Sequence, residues 1–467
     1  MSRCFYVFAI LLLSACKVGN DFEMSYPFSD KDIQETLNLS AGTSAVTPTW
    51  YKIFNDSDLN TLLTHALNKN LSLKQALERL QQSRYSLMIN SKNNFPMIDA
   101  SGDYEFSKAS NSHDYRTDVN TFNVGLDASW EVDIWGKGAY ITEQYYEFMR
   151  NYQYSLEDLK VSITAEVVNN YINLRMAQEK LRIAQTNLNL QQDIFETVQQ
   201  KFEAGIADKL ALDQAMYVVE TTKAQIPPLK IQVEQFKNAV ALLLGVLPSQ
   251  LPVNLDKYKK NITAKTFPFN TKKLYNLPLN IIRSRPDVKA AESQIRAQNA
   301  AVNEAIANLY PSLSLSASFG YISSSGHSLF NKHNQDYSYS PALSLPIWHW
   351  GQLTNNIELQ KHIKEEYLLN YNETMLTALT EIKNAITAVE QAYTAGSHSK
   401  NSYNKMQNIM NLTQTKYKNG LVDFTDVATA EQNLLNAQNA LIDSNAAILQ
   451  NLTAFYKASG GGYNFGN

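Results

Sequence analysis

The 467-residue sequence has 41 basic and 44 acidic side chains, and this balance argues against a nucleic-acid-binding protein, which usually has a basic excess. Its 17 glycines and 13 prolines are too few for a collagen-like or linker-rich chain and favour long uninterrupted elements. Two cysteines exclude a disulfide scaffold, and no apolar run reaches the roughly 18 residues that a membrane-spanning helix needs.

The N-terminus is predicted to be a lipoprotein signal peptide covering residues 1–15. A basic start with Arg3 precedes an apolar run at 5–13 that is too short to span a bilayer. The Leu-Ser-Ala-Cys sequence ending at Cys16 resembles the bacterial lipobox, and this resemblance implies that the Cys16 thiol receives a diacylglyceryl group. An ordinary cleavage site with an incidental cysteine is the alternative. Lys17 in place of an aspartate favours the outer membrane, by resemblance to sorted lipoproteins, and 16–54 is then a lipid-anchored segment.

The rest of the chain contains two copies of one unit at an offset of 215 residues, and no gap is needed between residues 96 and 208 to align them. The matching positions include Pro96 and Pro311, Trp135-Gly136 and Trp350-Gly351, and Gly205 and Gly420. We therefore predict a duplication instead of ordinary globular domains. Its parts are a first repeat at 55–246, an equatorial connector at 247–284, a second repeat at 285–458 and a flexible tail at 459–467.

Each repeat is predicted to begin with a helical stretch, at 55–93 and 286–309, and to continue with two strands. The strands lie at 97–107 and 119–131 in the first repeat and at 312–322 and 337–346 in the second. Apolar and polar residues alternate strictly in all four, which indicates strands with two different faces. Nine residues also suffice for a tilted strand to cross a bilayer. Two solvated hairpins packed on a soluble core are the alternative.

The two faces of these strands differ in a way that is typical of a membrane barrel. Aromatic residues near the strand ends resemble the girdles of outer-membrane barrels, namely Tyr104, Phe106, Trp130, Tyr321 and Tyr337. The opposite face carries four acids that we predict to face a wet lumen, namely Asp99, Asp103, Glu105 and Asp127. A ring of acids that filters cations is a more common use of such residues than acid–base catalysis.

Very long helices follow the strands, at 138–204 and 352–418. Residues 139–204 contain no glycine or proline, and a helix of 66 residues is about 100 Å long. A glycine after each helix supplies the left-handed cap residue, and a returning helix is predicted at 211–244 and at 426–457. The apolar positions form a narrow stripe in an otherwise polar helix, which suits a wall with water on both sides.

One chain supplies only four candidate membrane strands, which cannot close a barrel. Open strand edges are not tolerated in lipid, and the smallest transmembrane barrels have eight strands. Two chains would give a barrel filled by its own side chains, whereas three chains give twelve strands and a pore. The predicted fold is therefore mainly α with a membrane β-barrel portion: a homotrimer with a 12-stranded β-barrel that continues into a long periplasmic α-helical barrel.

Several short motifs are shared with one protein family. They are Cys16–Phe22, Ala224–Leu229, Arg285–Val288 with Ala290–Glu292, and Tyr310–Leu313. Through them the chain resembles the TolC-like outer-membrane efflux proteins, in the lipoprotein branch that serves resistance-nodulation-division pumps. This resemblance implies a trimeric exit duct that docks on a periplasmic adaptor (membrane fusion) protein and an inner-membrane pump, so that drugs or other toxic solutes leave the cell.

By the same resemblance, the turns after the long helices are the candidate docking region at the periplasmic tip. The residues are Lys201, Phe202, Gly205 and Asp208 in the first repeat, and Lys416, Tyr417, Gly420 and Asp423 in the second. The closed aperture is predicted to be lined by Thr197, Gln200, Leu412, Thr413 and Thr415. Two helical hairpin ends without a partner are the alternative.

Enzyme signatures are absent from the sequence. The seven histidines show no His-x-x-His or Cys-His spacing, and there is no Gly-rich phosphate loop or nucleophile elbow. We therefore predict no catalytic residue, no metal and no cofactor apart from the lipid on Cys16. A type I protein-secretion or heavy-metal export duct of the same architecture stays open, as does a non-conducting, lipid-anchored coiled-coil surface protein.

Overall fold

The computed structural model describes residues 17–19, 22–24, 26–39, 49–110, 116–257 and 274–462. The predicted signal peptide, Cys16 and residues 463–467 lie outside this part of the chain, and so does the stretch 258–273 of the predicted connector. The chain divides into two compact units. Unit 1 comprises Met1–Ser25, Arg79–Gln153 and Ala290–Asn372, and unit 2 comprises Tyr26–Glu78, Tyr154–Lys289 and Glu373–Asn467.

Eight α-helices occur among the described residues, and the two longest have 67 residues each. They are α1 (Asp30–Leu37), α2 (Ser57–Lys69), α3 (Leu71–Lys92), α4 (Lys137–Glu203), α5 (Lys209–Leu244), α6 (Pro286–Ala307), α7 (Gln352–Lys418) and α8 (Phe424–Ala458). The bounds of α4 and α7 differ by one residue or less from the predicted ones. Within the described ranges, no helix combines the length and the apolar character that crossing a membrane requires.

The helical stretch predicted at 55–93 consists of two helices, because the structure divides it into α2 and α3 at Asn70. The backbone of Asn70 leaves the helical conformation, with ψ at 130°. Its side-chain oxygen accepts a hydrogen bond from the Leu73 amide at 2.9 Å, and its side-chain nitrogen donates to the Leu243 carbonyl at 2.7 Å. Asn70 therefore caps a new helix instead of continuing the old one.

Four strands form one antiparallel sheet in unit 1, in the order β1 (Met97–Ser110), β2 (Arg116–Val132), β3 (Ser312–Ser323) and β4 (Gln335–Ser344). The register places Ala128 opposite both Ile98 and Ala317. Directly opposite residues share a face, so apolar side chains collect on one face of the sheet and acids and serines on the other. β1 and β2 each extend three residues further toward their connecting turn than predicted.

Unit 2 contains the ends of both long helices and the two helices that return from them. Its packing near the turns is apolar, with Val198 of α4, Ala215 of α5, Met410 of α7 and Phe424 of α8 in one buried cluster. Both helical hairpins therefore share one core at this end of the unit.

The flexible tail predicted at 459–467 is wrong for its first residues. Gly460–Gly462 form a short 3-10 turn, and Ser459 and Gly460 are buried. A Cβ atom on Gly461 would come within 2.7 Å of both methyl groups of Val161, so the glycine permits a close approach of the backbone to α4. This part of the tail is fixed by packing that a glycine-rich sequence does not reveal.

Candidate functional site

The two turns after the long helices have the same backbone structure. Gly205 and Gly420 are left-handed, with φ angles of +70° and +71°. In the first turn the Ile206 amide donates to the Lys201 carbonyl and the Gly205 amide donates to the Phe202 carbonyl, at 2.8 and 3.0 Å. The second turn repeats this pair of bonds 215 residues later. Both turns are Schellman motifs, which confirms the left-handed cap glycines that the sequence predicted.

Each turn exposes one large apolar side chain that the sequence analysis did not select. Ile206 is 76% exposed and Leu421, at the equivalent position of the second repeat, is 71% exposed. Phe202 is also exposed, whereas its neighbour Lys201 is half-buried. The recurrence of an apolar residue directly after each cap glycine was the signal available in the sequence. Each turn therefore presents an exposed aliphatic side chain, Ile206 in the first and Leu421 in the second.

Lys201 and Lys416 occupy equivalent positions but have different surroundings. The Lys201 ammonium lies 4.5 Å from the centre of the Tyr417 ring, which is a cation–π distance. The Tyr417 ring in turn meets Phe424 edge-on at 6.1 Å. Lys416 is exposed. Lys201 therefore connects the two hairpins of one chain, while Lys416 extends its charge toward solvent.

Asp208 and Asp423 precede the returning helices with nearly the same backbone angles, but only one of them caps its helix with its side chain. The Asp208 carboxylate accepts a hydrogen bond from the Ala211 amide at 2.9 Å. Asp423 makes no side-chain capping bond. The repeat thus provides a natural comparison of a capped and an uncapped helix start.

The residues predicted to line the aperture lie on the surfaces of α4 and α7. Thr197, Gln200, Leu412 and Thr415 are exposed, and Thr413 is half-buried. The hydroxyls of Thr197 and Thr415 donate to the carbonyls of Asp193 and Asn411, one helical turn earlier. Their role at an aperture stays a prediction.

The four predicted acids lie on one face of the sheet. Asp99 is directly opposite Asp127, and Ser101 donates a hydrogen bond to the Asp127 carboxylate at 3.0 Å. The Asn123 amide donates to Asp103 at 3.2 Å. Two like charges directly opposite each other on a sheet are destabilising, and the repulsion is small only where water screens it. The pair therefore fits a hydrated face.

The first described residues belong to unit 1 and are held by residues just after the end of β2. The Val18 amide donates to the Trp135 carbonyl at 3.2 Å, and the Lys17 ammonium lies 3.2 Å from the Glu143 carboxylate and 4.4 Å from the centre of the Tyr140 ring. The Lys17 side chain also lies against Gly136, where a Cβ atom would be 3.0 Å from its Cγ. Cys16, the predicted lipidation site, directly precedes this fixed residue and lies outside the described residues.

Comparison with known proteins identifies the family. A family model described as outer membrane efflux protein matches residues 62–246 and 277–461, two segments whose starts and ends are again 215 residues apart. The chain belongs to the outer membrane efflux protein family. It is similar to the cation efflux system protein CusC of Escherichia coli O6:H1, at 26% identity over 97% of each chain. It is also similar to the solvent efflux pump outer membrane protein SrpC of Pseudomonas putida, at 25% identity over 98% of this chain and 97% of that one.

Solved structures of outer membrane channels share the fold. The CmeC outer membrane channel of Campylobacter jejuni has a TM-score of 0.86 with 26% identity, covering 96% of this chain and 95% of that chain. The outer-membrane channel OprN has a TM-score of 0.85, also with 26% identity, covering 96% of this chain and 99% of that chain. These similarities confirm the predicted TolC-like fold, the outer-membrane location and the function as an efflux channel.

Proposed function

We propose that the protein is the outer-membrane exit duct of a tripartite efflux system, acting as a homotrimer on a periplasmic adaptor and an inner-membrane pump. The sheet carries this proposal: it has one apolar and one polar face, and β1 and β4 are its edge strands. A sheet with open edges is not stable in lipid, so the edges must pair with further copies of the chain. Three copies supply twelve strands. A lipid on Cys16 anchors the chain to the same membrane, and transport needs no catalytic residue.

The duplication allows the register between neighbouring copies to be derived. The β1–β2 pair Met97–Ser129 and the β3–β4 pair Ser312–Ser344 are related by the 215-residue offset. The pairing of β2 with β3, in which Gly125 is opposite Gly320, joins the first repeat to the second. In the repeats, Ser340 is the equivalent of Gly125, and Glu105 is the equivalent of Gly320. The same pairing between two copies therefore places Ser340 of one copy opposite Glu105 of the next. β4 and β1 of neighbouring copies therefore continue the same ladder.

Disulfide cross-linking tests this register in the purified full-length protein. Glu105→Cys with Ser340→Cys should form a covalent trimer on oxidation, because directly opposite residues in a sheet lie within disulfide distance. The control, Glu105→Cys with Ser338→Cys, shifts one cysteine by two residues on the same face and should cross-link poorly. Equal cross-linking of both pairs, or none in a protein that retains its native secondary structure, contradicts the proposed ring of strands.

Conductance distinguishes a duct from a non-conducting stalk. The trimer inserted into planar bilayers should give single-channel currents. Oxidation of the cysteine pair at positions 105 and 340 should leave these currents unchanged, because the strands are already paired there. The Lys201→Glu variant removes the contact between Lys201 and the Tyr417 ring at the periplasmic tip. If the cross-linked trimer conducts nothing even in this variant, the result supports the non-conducting surface protein.

We infer that the turns dock on the adaptor through Ile206 and Leu421, with Lys416 adding a positive charge. Exposed aliphatic side chains on a partner-facing tip gain contact area when covered, whereas a charge in their place must be desolvated. Ile206→Asp with Leu421→Asp should therefore abolish co-purification with the adaptor, while Ile206→Met with Leu421→Met retains it. Retained binding by the aspartate variant, with trimer formation intact, would exclude these turns as the docking site.

Cation export is a second candidate for the cargo, favoured by the opposed pair Asp99 and Asp127 on the polar face. Acid rings concentrate cations in a pore. Asp99→Asn with Asp127→Asn should reduce cation selectivity in bilayer measurements and lower metal tolerance in a strain that depends on this protein. If selectivity falls and metal tolerance is unchanged, the acids filter ions without defining the cargo.

A further inference from the structure

The apolar face of the sheet contains a groove of about 370 Å³ near the end of β2 and the beginning of β3. Its floor is formed where Ala128 lies opposite Ala317, and Tyr339 lies opposite Ala317 on the other side. The next row toward the strand ends is bulky, with Trp130 opposite Leu315. In the row on the other side of the alanines, Leu126 lies opposite Phe319. Two small residues between bulky neighbours thus create a depression with apolar walls.

The N-terminal segment ends close to the same strand ends. Val18 is hydrogen-bonded to the Trp135 carbonyl, and the Trp135 indole nitrogen donates to the Pro311 carbonyl at 2.7 Å. Pro311 directly precedes β3. Lys17 is held at this level by its ion pair with Glu143 and its contact with Tyr140. One peptide bond, or about 3.8 Å between Cα atoms, separates Lys17 from Cys16.

We propose that an acyl chain attached to Cys16 lies in this groove. The inference rests on the proposed lipidation of Cys16. From Pro311 to Leu315 the strand rises by four residues, which is about 14 Å at 3.4 Å per residue. An acyl chain spans half of the hydrocarbon core, or about 15 Å. A chain that starts beside Pro311 and follows β3 into the membrane therefore reaches the groove at Leu315, which lines it next to the depression at Ala317.

The short connection between Lys17 and Cys16 favours the acyl chain on Cys16 as the molecule in the groove. Apolar contact alone cannot distinguish an acyl chain of the protein from a tail of a free lipid, because both are equally apolar and association within the bilayer depends on packing. Lys17 is fixed by a backbone hydrogen bond at the next residue, an ion pair and an aromatic contact, so little loop entropy opposes the placement of an acyl chain one residue away. The groove then also aligns the anchor with the sheet and determines where the N-terminus enters the membrane.

Photo-cross-linking in the full-length protein tests the proposal. Cells are fed a fatty acid with a diazirine near its end, which enters both Cys16 and the phospholipids, and the purified protein is irradiated, digested and analysed by mass spectrometry. We expect the lipidated N-terminal peptide to be joined to peptides that carry Ala128 or Ala317. Ala317→Phe, which fills the depression, should abolish this adduct, and the control Val124→Phe, on the same face further along β2, should retain it.

The possible outcomes separate this inference from the proposed lipidation. An acylated N-terminus whose adducts are scattered over the lipid-facing peptides, or groove peptides that carry only phospholipid, overturns the groove as the acyl-chain site and leaves the lipidation intact. An intact mass without acyl chains on Cys16 overturns both. The wild-type cross-link decides between these results even if Ala317→Phe fails to fold.

Discussion

Removing the carboxylate of Asp208 should destabilise the start of α5, whereas the same change at Asp423 should have much less effect on α8. Both aspartates precede a helix with the same backbone conformation, so both place a negative charge at the positive end of a helix dipole. Only Asp208 also accepts a hydrogen bond, from the Ala211 amide at 2.9 Å. The difference between Asp208→Ala and Asp423→Ala therefore measures the cap alone.

The expected size of that difference is about 1 kcal/mol, the typical contribution of a side-chain N-cap, which corresponds to about a fivefold change in the equilibrium for local opening. Amide hydrogen exchange, followed by mass spectrometry on the detergent-solubilised protein, compares peptides at the start of α5 with peptides at the start of α8. Asp208→Asn retains an acceptor oxygen without the charge and should recover most of the protection. Equal effects of the two alanine substitutions, or an asparagine variant as unprotected as the alanine variant, would refute the assignment of the cap.

Two further changes in unit 2 have predictable effects on stability. Burial raises the pKa of Glu431 to about 7, so the folded state holds a proton more strongly than the unfolded chain between pH 4.5 and 7, and stability should fall as the pH rises through this window. Glu431→Gln should remove this pH dependence of the thermal unfolding midpoint, because the side chain then has no titratable group, as is already the case at the equivalent Met216 of the first repeat. An unchanged pH profile in the variant would contradict this prediction. Tyr171 is buried and donates to the Asp56 carboxylate at 2.8 Å while accepting from Arg175 at 3.0 Å. Tyr171→Phe should therefore cost about 1–3 kcal/mol, and Tyr217→Phe on an exposed ring should not lower the unfolding midpoint.

Features with a strong local period or a fixed repeat were predictable from the sequence. Period-two alternation located all four strands, and the absence of glycine and proline located the two 67-residue helices. Gly205 and Gly420 could be assigned as left-handed caps because each follows such a helix. In these cases the residues that determine the structure are neighbours in the chain.

Features that depend on contacts between distant residues could not be predicted. Asn70 interrupts a helix because its side chain bonds to the Leu243 carbonyl, far away in the chain. The depression at Ala128 appears only once the register puts Ala317 opposite it. The glycines at 460–462 look flexible in a sequence, but here Gly461 allows close packing on α4. Each of these depends on a partner that the local sequence does not identify.

The two repeats also differ in a tryptophan hydrogen bond that forms within one chain for the first repeat but not for the second. Trp135 of the first repeat donates its indole hydrogen to the Pro311 carbonyl of the second. The equivalent of Trp135 is Trp350, which is 87% exposed, and the equivalent of Pro311 is Pro96. In the proposed ring of copies, the repeat symmetry therefore makes Pro96 of the next copy the expected partner of Trp350, just as it pairs β4 with β1 of that copy. An exposed indole whose counterpart in the other repeat is hydrogen-bonded is what a single copy taken from the proposed ring of equivalent repeats would show.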